Sequence, residues 1–94
     1  MFNATRAGND TIELTGRLDA SQVEQARAAF DTVTDSILVS FSNLEYISSA
    51  GLGVLLAVQK RLSASGKKLT LVNLNGHVRD IFFYAGFDKI FEIR

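Results

Sequence analysis

The chain has 94 residues, enough for one buried core and too few for two. An apolar fraction of 47% with 21% charged residues fits a folded globular chain and excludes a disordered one. Ten basic residues balance ten acidic ones, so no net field gathers a nucleic-acid backbone, and basic residues adjoin only at Lys60-Arg61 and Lys67-Lys68.

The absence of cysteine excludes a disulfide scaffold and cysteine-ligated metals, and suits a reducing compartment. The N-terminus is polar by its third residue, unlike a secretory signal. No apolar run approaches the roughly 18 residues of a membrane span. These features set the expectation of a soluble, cytoplasmic chain with no nucleic-acid or membrane partner.

Met1 to Arg6 reads as an edge strand, and Gly8-Asn9-Asp10 as a turn. Thr11 to Gly16 alternates apolar and polar residues, as a half-buried strand does, so the two strands form a hairpin. A helix begins near Ala20. Ser21 and Glu24 have capping-box spacing, with Asp19 as the other available cap. Val23, Ala26, Phe30 and Val33 fall on one face of that helix.

Ile37-Leu38-Val39-Ser40-Phe41 is a short β-branched run, read as a central strand. From about Ser49 to Ala64, leucines at 52, 55, 56 and 62 mark a second helix, stopped by Ser65-Gly66. Leu69 to Val72 is a strand. Asn75 caps a third helix, carrying Val78, Ile81, Phe82 and Ala85 on one face and closed by Gly86. Ile90 to Ile93 is the last strand. The order β-β-α-β-α-β-α-β predicts an α/β fold with a mixed, mostly parallel sheet of about five strands and about three helices.

The stretch Tyr46-Ile47-Ser48-Ser49-Ala50-Gly51-Leu52-Gly53 joins the central strand to the second helix. Two readings of it stand side by side. In one, Ser48 or Ser49 caps the helix, and Gly51 and Gly53 permit close packing. In the other, a serine hydroxyl is offered to a partner, and a phosphate placed there meets the positive end of a helix dipole.

Other chemistry is poorly supplied. His77 is the only histidine and is read as a surface residue, so zinc has too few ligands. No G-x-S-x-G elbow is present, because the serines precede the glycines. Gly51-x-Gly53 lacks the third glycine of a dinucleotide fingerprint, since position 56 is Leu56, and no phosphate loop occurs. Phe82, Phe87 and Phe91 are read as core, and Phe83 and Tyr84 as partly buried. No cofactor, metal or catalytic residue is expected.

Three stretches carry a family resemblance. Asn43-Leu44-Glu45-Tyr46-Ile47-Ser48-Ser49-Ala50-Gly51-Leu52-Gly53-Val54-Leu55-Leu56 resembles the signature of STAS domains, specifically the bacterial anti-sigma-factor antagonists. Leu14-Thr15-Gly16-Arg17-Leu18-Asp19 is similar to the early L-x-G-x-L-D motif of that family. Val78 to Phe87 resembles its last helix, which ends at a glycine followed by a hydrophobic residue. The likeness spans nearly the whole chain.

The resemblance implies one STAS domain over residues 1–94, monomeric when free. It implies a regulator and not an enzyme. The unmodified form would bind an anti-sigma factor with a histidine-kinase-like ATPase fold and release the sigma factor. That kinase would phosphorylate Ser49, ending the interaction, and a serine phosphatase would reset it. Partner contacts would fall on Asp19, Ser48, Ser49, Ala50, Gly51, Leu52 and Gly53. Two positions depart from the common pattern: Ser48 stands where many relatives have Asp, and Ser40 where many have Asp or Asn. Both remove negative charge, and Ser48 becomes an alternative acceptor. Two further functions stay open: a non-phosphorylated STAS accessory or scaffold subunit, of a lipid transporter or a stress-signalling complex, and an enzyme using Ser49 as its nucleophile.

Overall fold

The computed structural model describes residues 1–94. Phe2–Arg6 (β1) and Thr11–Leu18 (β2) form the antiparallel hairpin expected around Gly8-Asn9-Asp10. Val23–Asp31 (α1) follows, then Ile37–Ile47 (β3), Ser49–Ser63 (α2), Leu69–Val72 (β4), Gly76–Tyr84 (α3) and Glu92–Ile93 (β5). The five strands lie in sequence order in one sheet, and every pairing after the first hairpin is parallel. The mixed, mostly parallel sheet and three helices are as expected.

One contiguous cluster of 22 buried apolar residues joins sheet and helices. Ile12, Leu14 and Leu18 of β2 lie in it, while Thr11, Glu13 and Thr15 turn to the opposite, half-covered face. From the helices come Ala26 and Phe30 of α1, Leu52, Leu55, Val58 and Leu62 of α2, and Val78 and Phe82 of α3. Phe82 makes edge-to-face contacts with Phe41, Phe87 and Phe91 at centroid distances of 5.7–6.3 Å. Phe83 and Tyr84 differ from expectation: they are exposed, Tyr84 at 91%.

β3 is the chief departure from the sequence reading. It runs on six residues past Phe41, because two register shifts against β2 interrupt its alternation. The core positions Phe41, Leu44 and Ile47 are therefore three residues apart and match no period-two pattern. This extension carries β3 past the end of β4, which pairs only as far as Ser40.

Helix one is also entered differently. A 3-10 turn at Ala20–Gln22 precedes α1, and its capping box is Asp19 with Gln22, not Ser21 with Glu24. Asp19 wins because its carboxylate reaches both the Ser21 amide and hydroxyl, at 3.1 and 2.7 Å. The last strand is reduced to Glu92–Ile93, after a second 3-10 turn at Phe87–Lys89.

Long polar side chains tie the helices to the sheet where apolar contacts end. Arg61 of α2 donates to Phe30 O and Val33 O at 2.9 and 2.7 Å, satisfying carbonyls at the C-terminus of α1. Buried Gln59 accepts from the Leu69 amide at 2.8 Å, fixing α2 against the start of β4. Gly16 has φ +84°, and a Cβ there would lie 1.8 Å from the Met1 carbonyl oxygen. No side chain fits that position of the L-x-G-x-L-D stretch.

Candidate functional site

The site grows from the pairing of β2 with β3. Leu18 and Ile47 are the last residues of the two strands and lie opposite one another. The next residues are Asp19 and Ser48, and the Ser48 amide donates to Leu18 O at 2.8 Å. Two loops leave the sheet side by side at the carboxyl ends of parallel strands, where α/β sheets open toward ligands and partners.

Ser48 is the N-cap of α2. Its extended backbone breaks from the helix, its Oγ accepts from the Gly51 amide at 3.2 Å, and its carbonyl accepts from Leu52 at 2.9 Å. That resolves which serine caps. Ser49, one residue on, is exposed, and its hydroxyl makes no hydrogen bond within the chain. No acidic side chain occupies the first turn of α2, so nothing offsets its positive dipole end.

Gly51 explains how the turn is held so close to the sheet. A Cβ at this residue would meet Leu18 Cγ at 2.8 Å and Ile47 Cγ1 at 2.9 Å. The helix start therefore rests directly on the two strand ends. Gly53 differs: a Cβ there meets nothing within 4 Å. The nominated contact residues separate accordingly. Ser49, Ala50 and Gly53 are exposed, Asp19 and Ser48 half-buried, and Gly51 and Leu52 buried. The last two shape the turn from beneath and present no side chain.

Asp19 stands beside the serines, already engaged. Its hydrogen bonds from the Ser21 hydroxyl and amide, with the charge of Arg17 behind them, hold its carboxyl below the usual carboxylate range. Arg17 had no place in the sequence-based site. Its guanidinium carbon lies 4.5 Å from the centroid of the Tyr46 ring, across the β2–β3 pair. Only the register could have revealed this, since residues 17 and 46 meet through a bulged strand.

Ser40, the other departure from the family pattern, lies away from the turn. It is buried mid-strand, with its hydroxyl 3.2 Å from that of Ser42. His77 is exposed at the start of α3 and makes no hydrogen bond to Ser49. No cluster of three metal-ligating side chains exists. The larger cavity, about 220 Å³, lies between α1 and α2 and reaches the turn only at Gly53. That is below the roughly 300 Å³ at which small-molecule pockets begin. The site is a protruding turn and not a pocket.

Such a mixed-sheet α/β domain has a counterpart among known families. The profile described as "Mlab, STAS domain" matches residues 2–93, and the chain belongs to the STAS family. It is 36% identical over 84 residues to BtrV of Bordetella bronchiseptica, named as a candidate anti-sigma factor antagonist, covering 85% of this chain and 72% of the relative. It is 28% identical over 87 residues to the anti-sigma F factor antagonist of Paenibacillus polymyxa, covering 87% and 74%.

Among solved structures it resembles the anti-sigma factor antagonist SpoIIAA in its unphosphorylated form. There the TM-score is 0.72 and the identity 25%, with 100% of this chain and 87% of that one covered. The phosphorylated form of the Bacillus protein matches equally well, at TM-score 0.71 and 26% identity, with 100% and 91% covered. No helix of the present chain is long and apolar enough to cross a membrane.

Proposed function

We propose that residues 1–94 act as one STAS domain, an anti-sigma-factor antagonist switched by phosphorylation of Ser49. The single observation that carries this reading is the division of labour at the turn: Ser48 spends its hydroxyl as the cap, and Ser49 keeps its own free. Likeness to named antagonists, and to a relative known in both phosphorylation states, supports it.

The unmodified turn docks on an anti-sigma factor that is also a histidine-kinase-like ATPase. Ser49 Oγ attacks the γ-phosphorus of the partner's ATP, the bond to the ADP oxygen breaks, and the hydroxyl proton passes to a base of the kinase. The product carries about −1.5 to −2 charges on Ser49. Within the chain that charge sits at a helix start, where it is tolerated, so the fold persists. Within the interface it must lose water, and binding fails. A serine phosphatase restores the hydroxyl by hydrolysis.

Calorimetric titration of the partner kinase with Ser49→Asp and Ser49→Ala tests this. Ser49→Asp is expected to bind more weakly by about 2–4 kcal/mol, roughly thirty- to thousand-fold in Kd, with its melting temperature unchanged. Ser49→Ala is expected to bind like the parent and to accept no phosphate. Equal affinities of the two folded variants would remove charge at this turn as the switch.

A second reading stays within the STAS family to which the chain belongs. There the same turn docks permanently in a larger assembly, such as a lipid transporter, and Ser49 is never modified. Stable co-purification with a transporter ATPase, with no phosphate on the chain, favours it over the switch.

A further inference from the structure

Five asparagines occur in the chain, and Asn75 alone is followed by glycine. That pairing matters because an asparagine side-chain amide is open to attack by the backbone nitrogen of the next residue. A glycine has no Cβ to obstruct the approach. A Cβ built at Gly76 would meet nothing within 4 Å, so the surroundings do not obstruct it either. Asn75 and Gly76 are both exposed to water. Gly76 is the first residue of α3, where a backbone N–H has no acceptor within the helix. The nucleophile is free, and the electrophile is held. Asn75 Oδ1 accepts from the Val78 amide at 2.8 Å, and Nδ2 donates to Leu44 O at 3.1 Å. These two bonds keep the carboxamide from turning its face to the Gly76 nitrogen.

We propose that Asn75 is a deamidation site guarded by its own cap, reactive only when the β4–α3 turn opens. In the open turn the Gly76 nitrogen bonds to Asn75 Cγ and gives up its proton. The Cγ–Nδ2 bond breaks, ammonia leaves with that proton, and a five-membered imide remains. One water then opens the ring at either carbonyl, leaving aspartate or isoaspartate at position 75. The net change is amide plus water to acid plus ammonia. Both products lose the donor to Leu44 O. Aspartate keeps the cap, and its charge suits a helix start. Isoaspartate adds a carbon to the main chain at the N-cap and loses the cap as well. Either way α3 is held less firmly to the overhanging end of β3, and Phe82 with its three aromatic contacts is left to anchor it. The lost amide is not restored in the isolated chain. The modification therefore records how often this turn has opened, whatever happens at Ser49.

The test uses the isolated chain. The parent is kept warm at neutral pH over days, folded in buffer and unfolded in urea, and sampled by peptide mapping. The mass gain from amide to acid locates the modification, and chromatography separates the two products. In urea Asn75 is expected to react ahead of Asn3, Asn9, Asn43 and Asn73. In the fold it is expected to react about thirtyfold more slowly, the factor that a helix cap and one side-chain hydrogen bond lost together correspond to.

Two variants complete the test. Phe82→Leu loosens α3 without touching the Asn75–Gly76 pair and is expected to bring the folded rate up toward the unfolded one. Gly76→Ala is expected to suppress the reaction even in urea, because the added methyl group obstructs the nitrogen. Equal rates at Asn75 in the folded and unfolded parent overturn the guard. Asn75 reacting no faster than the other asparagines, in urea or in folded Phe82→Leu, overturns the site. Should Phe82→Leu fail to fold, the parent in urea just below its unfolding transition takes its place, with the same two outcomes.

Discussion

The chain makes the same local structure twice with opposite consequences. At the β3–α2 turn, Ser48 caps a helix; at the β4–α3 turn, Asn75 caps another. Asn75 uses both ends of its amide: Oδ1 accepts from the Val78 amide at 2.8 Å, and Nδ2 donates to Leu44 O at 3.1 Å. It clips α3 to the part of β3 that overhangs β4. Ser48 Oγ accepts a single bond, from the Gly51 amide, and the hydroxyl of neighbouring Ser49 makes none. The glycines are reversed as well. Gly51 is pressed between Leu18 and Ile47, while Gly76 has open space around its α-carbon. One turn is therefore sealed underneath and free on top, and the other is stitched down by its own cap. A turn can be rigidly placed and still chemically unspent only when packing, not the exposed hydroxyl, holds it.

The glycines should break this contrast most visibly. Gly51→Ala forces a methyl group against Leu18 and Ile47 and is expected to cost about 1–3 kcal/mol. Gly76→Ala meets no neighbour and removes backbone freedom from the unfolded chain, so it should be neutral or stabilising, within about 1 kcal/mol. Urea unfolding of both variants measures the difference. Similar losses at the two sites would mean that the close docking of α2 is not what fixes its turn.

The caps sharpen the comparison. Asn75→Ala loses a cap and leaves Leu44 O unpaired, for about 2 kcal/mol in all. Asn75→Asp keeps the acceptor and loses the donor, for about 1 kcal/mol. Ser48→Ala loses only a cap, again about 1 kcal/mol, and Ser48→Asp should restore it. The same unfolding experiment ranks the four. If Asn75→Asp matched the parent, the clip to Leu44 would carry no weight.

Smallest is the effect at Asp19. Its folded pKa lies below the ordinary carboxylate value of about 3.9, so its contribution is fully present above that pH and fades as pH falls through the lower folded value. Asp35, held by the Ser36 amide and then by Lys67, and Glu92, held by Lys68, are lowered in the same direction and steepen the acid limb. Asp19→Asn should leave the melting temperature nearly unchanged at pH 7, since Asn also caps, and should flatten its fall below about pH 4. Its affinity for the partner should drop, because the carboxylate stands next to the serine turn. A strongly lowered melting temperature at pH 7 with full affinity would make Asp19 purely structural.

Much of this was legible in the sequence because local signals agreed with the fold. The helix faces of α1 and α2, the cap at Asn75 and the parallel order all rest on periodicity and short-range chemistry. The reading lost the second half of β3, where two register shifts space Phe41, Leu44 and Ile47 three apart. It gave the capping-box spacing to Ser21 and Glu24 with Asp19 as the other available cap, since sequence spacing cannot tell which side chains face the free amides; the box that forms is Asp19 with Gln22. From local chemistry it left open whether Ser48 or Ser49 caps α2, which one hydrogen bond decides in favour of Ser48. The Arg17–Tyr46 contact was beyond reach for a different reason, being a cross-strand pair whose register the bulges set.

Phosphosite mapping by mass spectrometry tests the central claim most directly, after incubation of the unmodified chain with its partner kinase and ATP. Ser49 has the free hydroxyl and Ser48 the occupied one, so a single phosphate on Ser49 is the expected result. Phosphate on Ser48 alone, or none at all from a kinase shown to be active, would contradict the account.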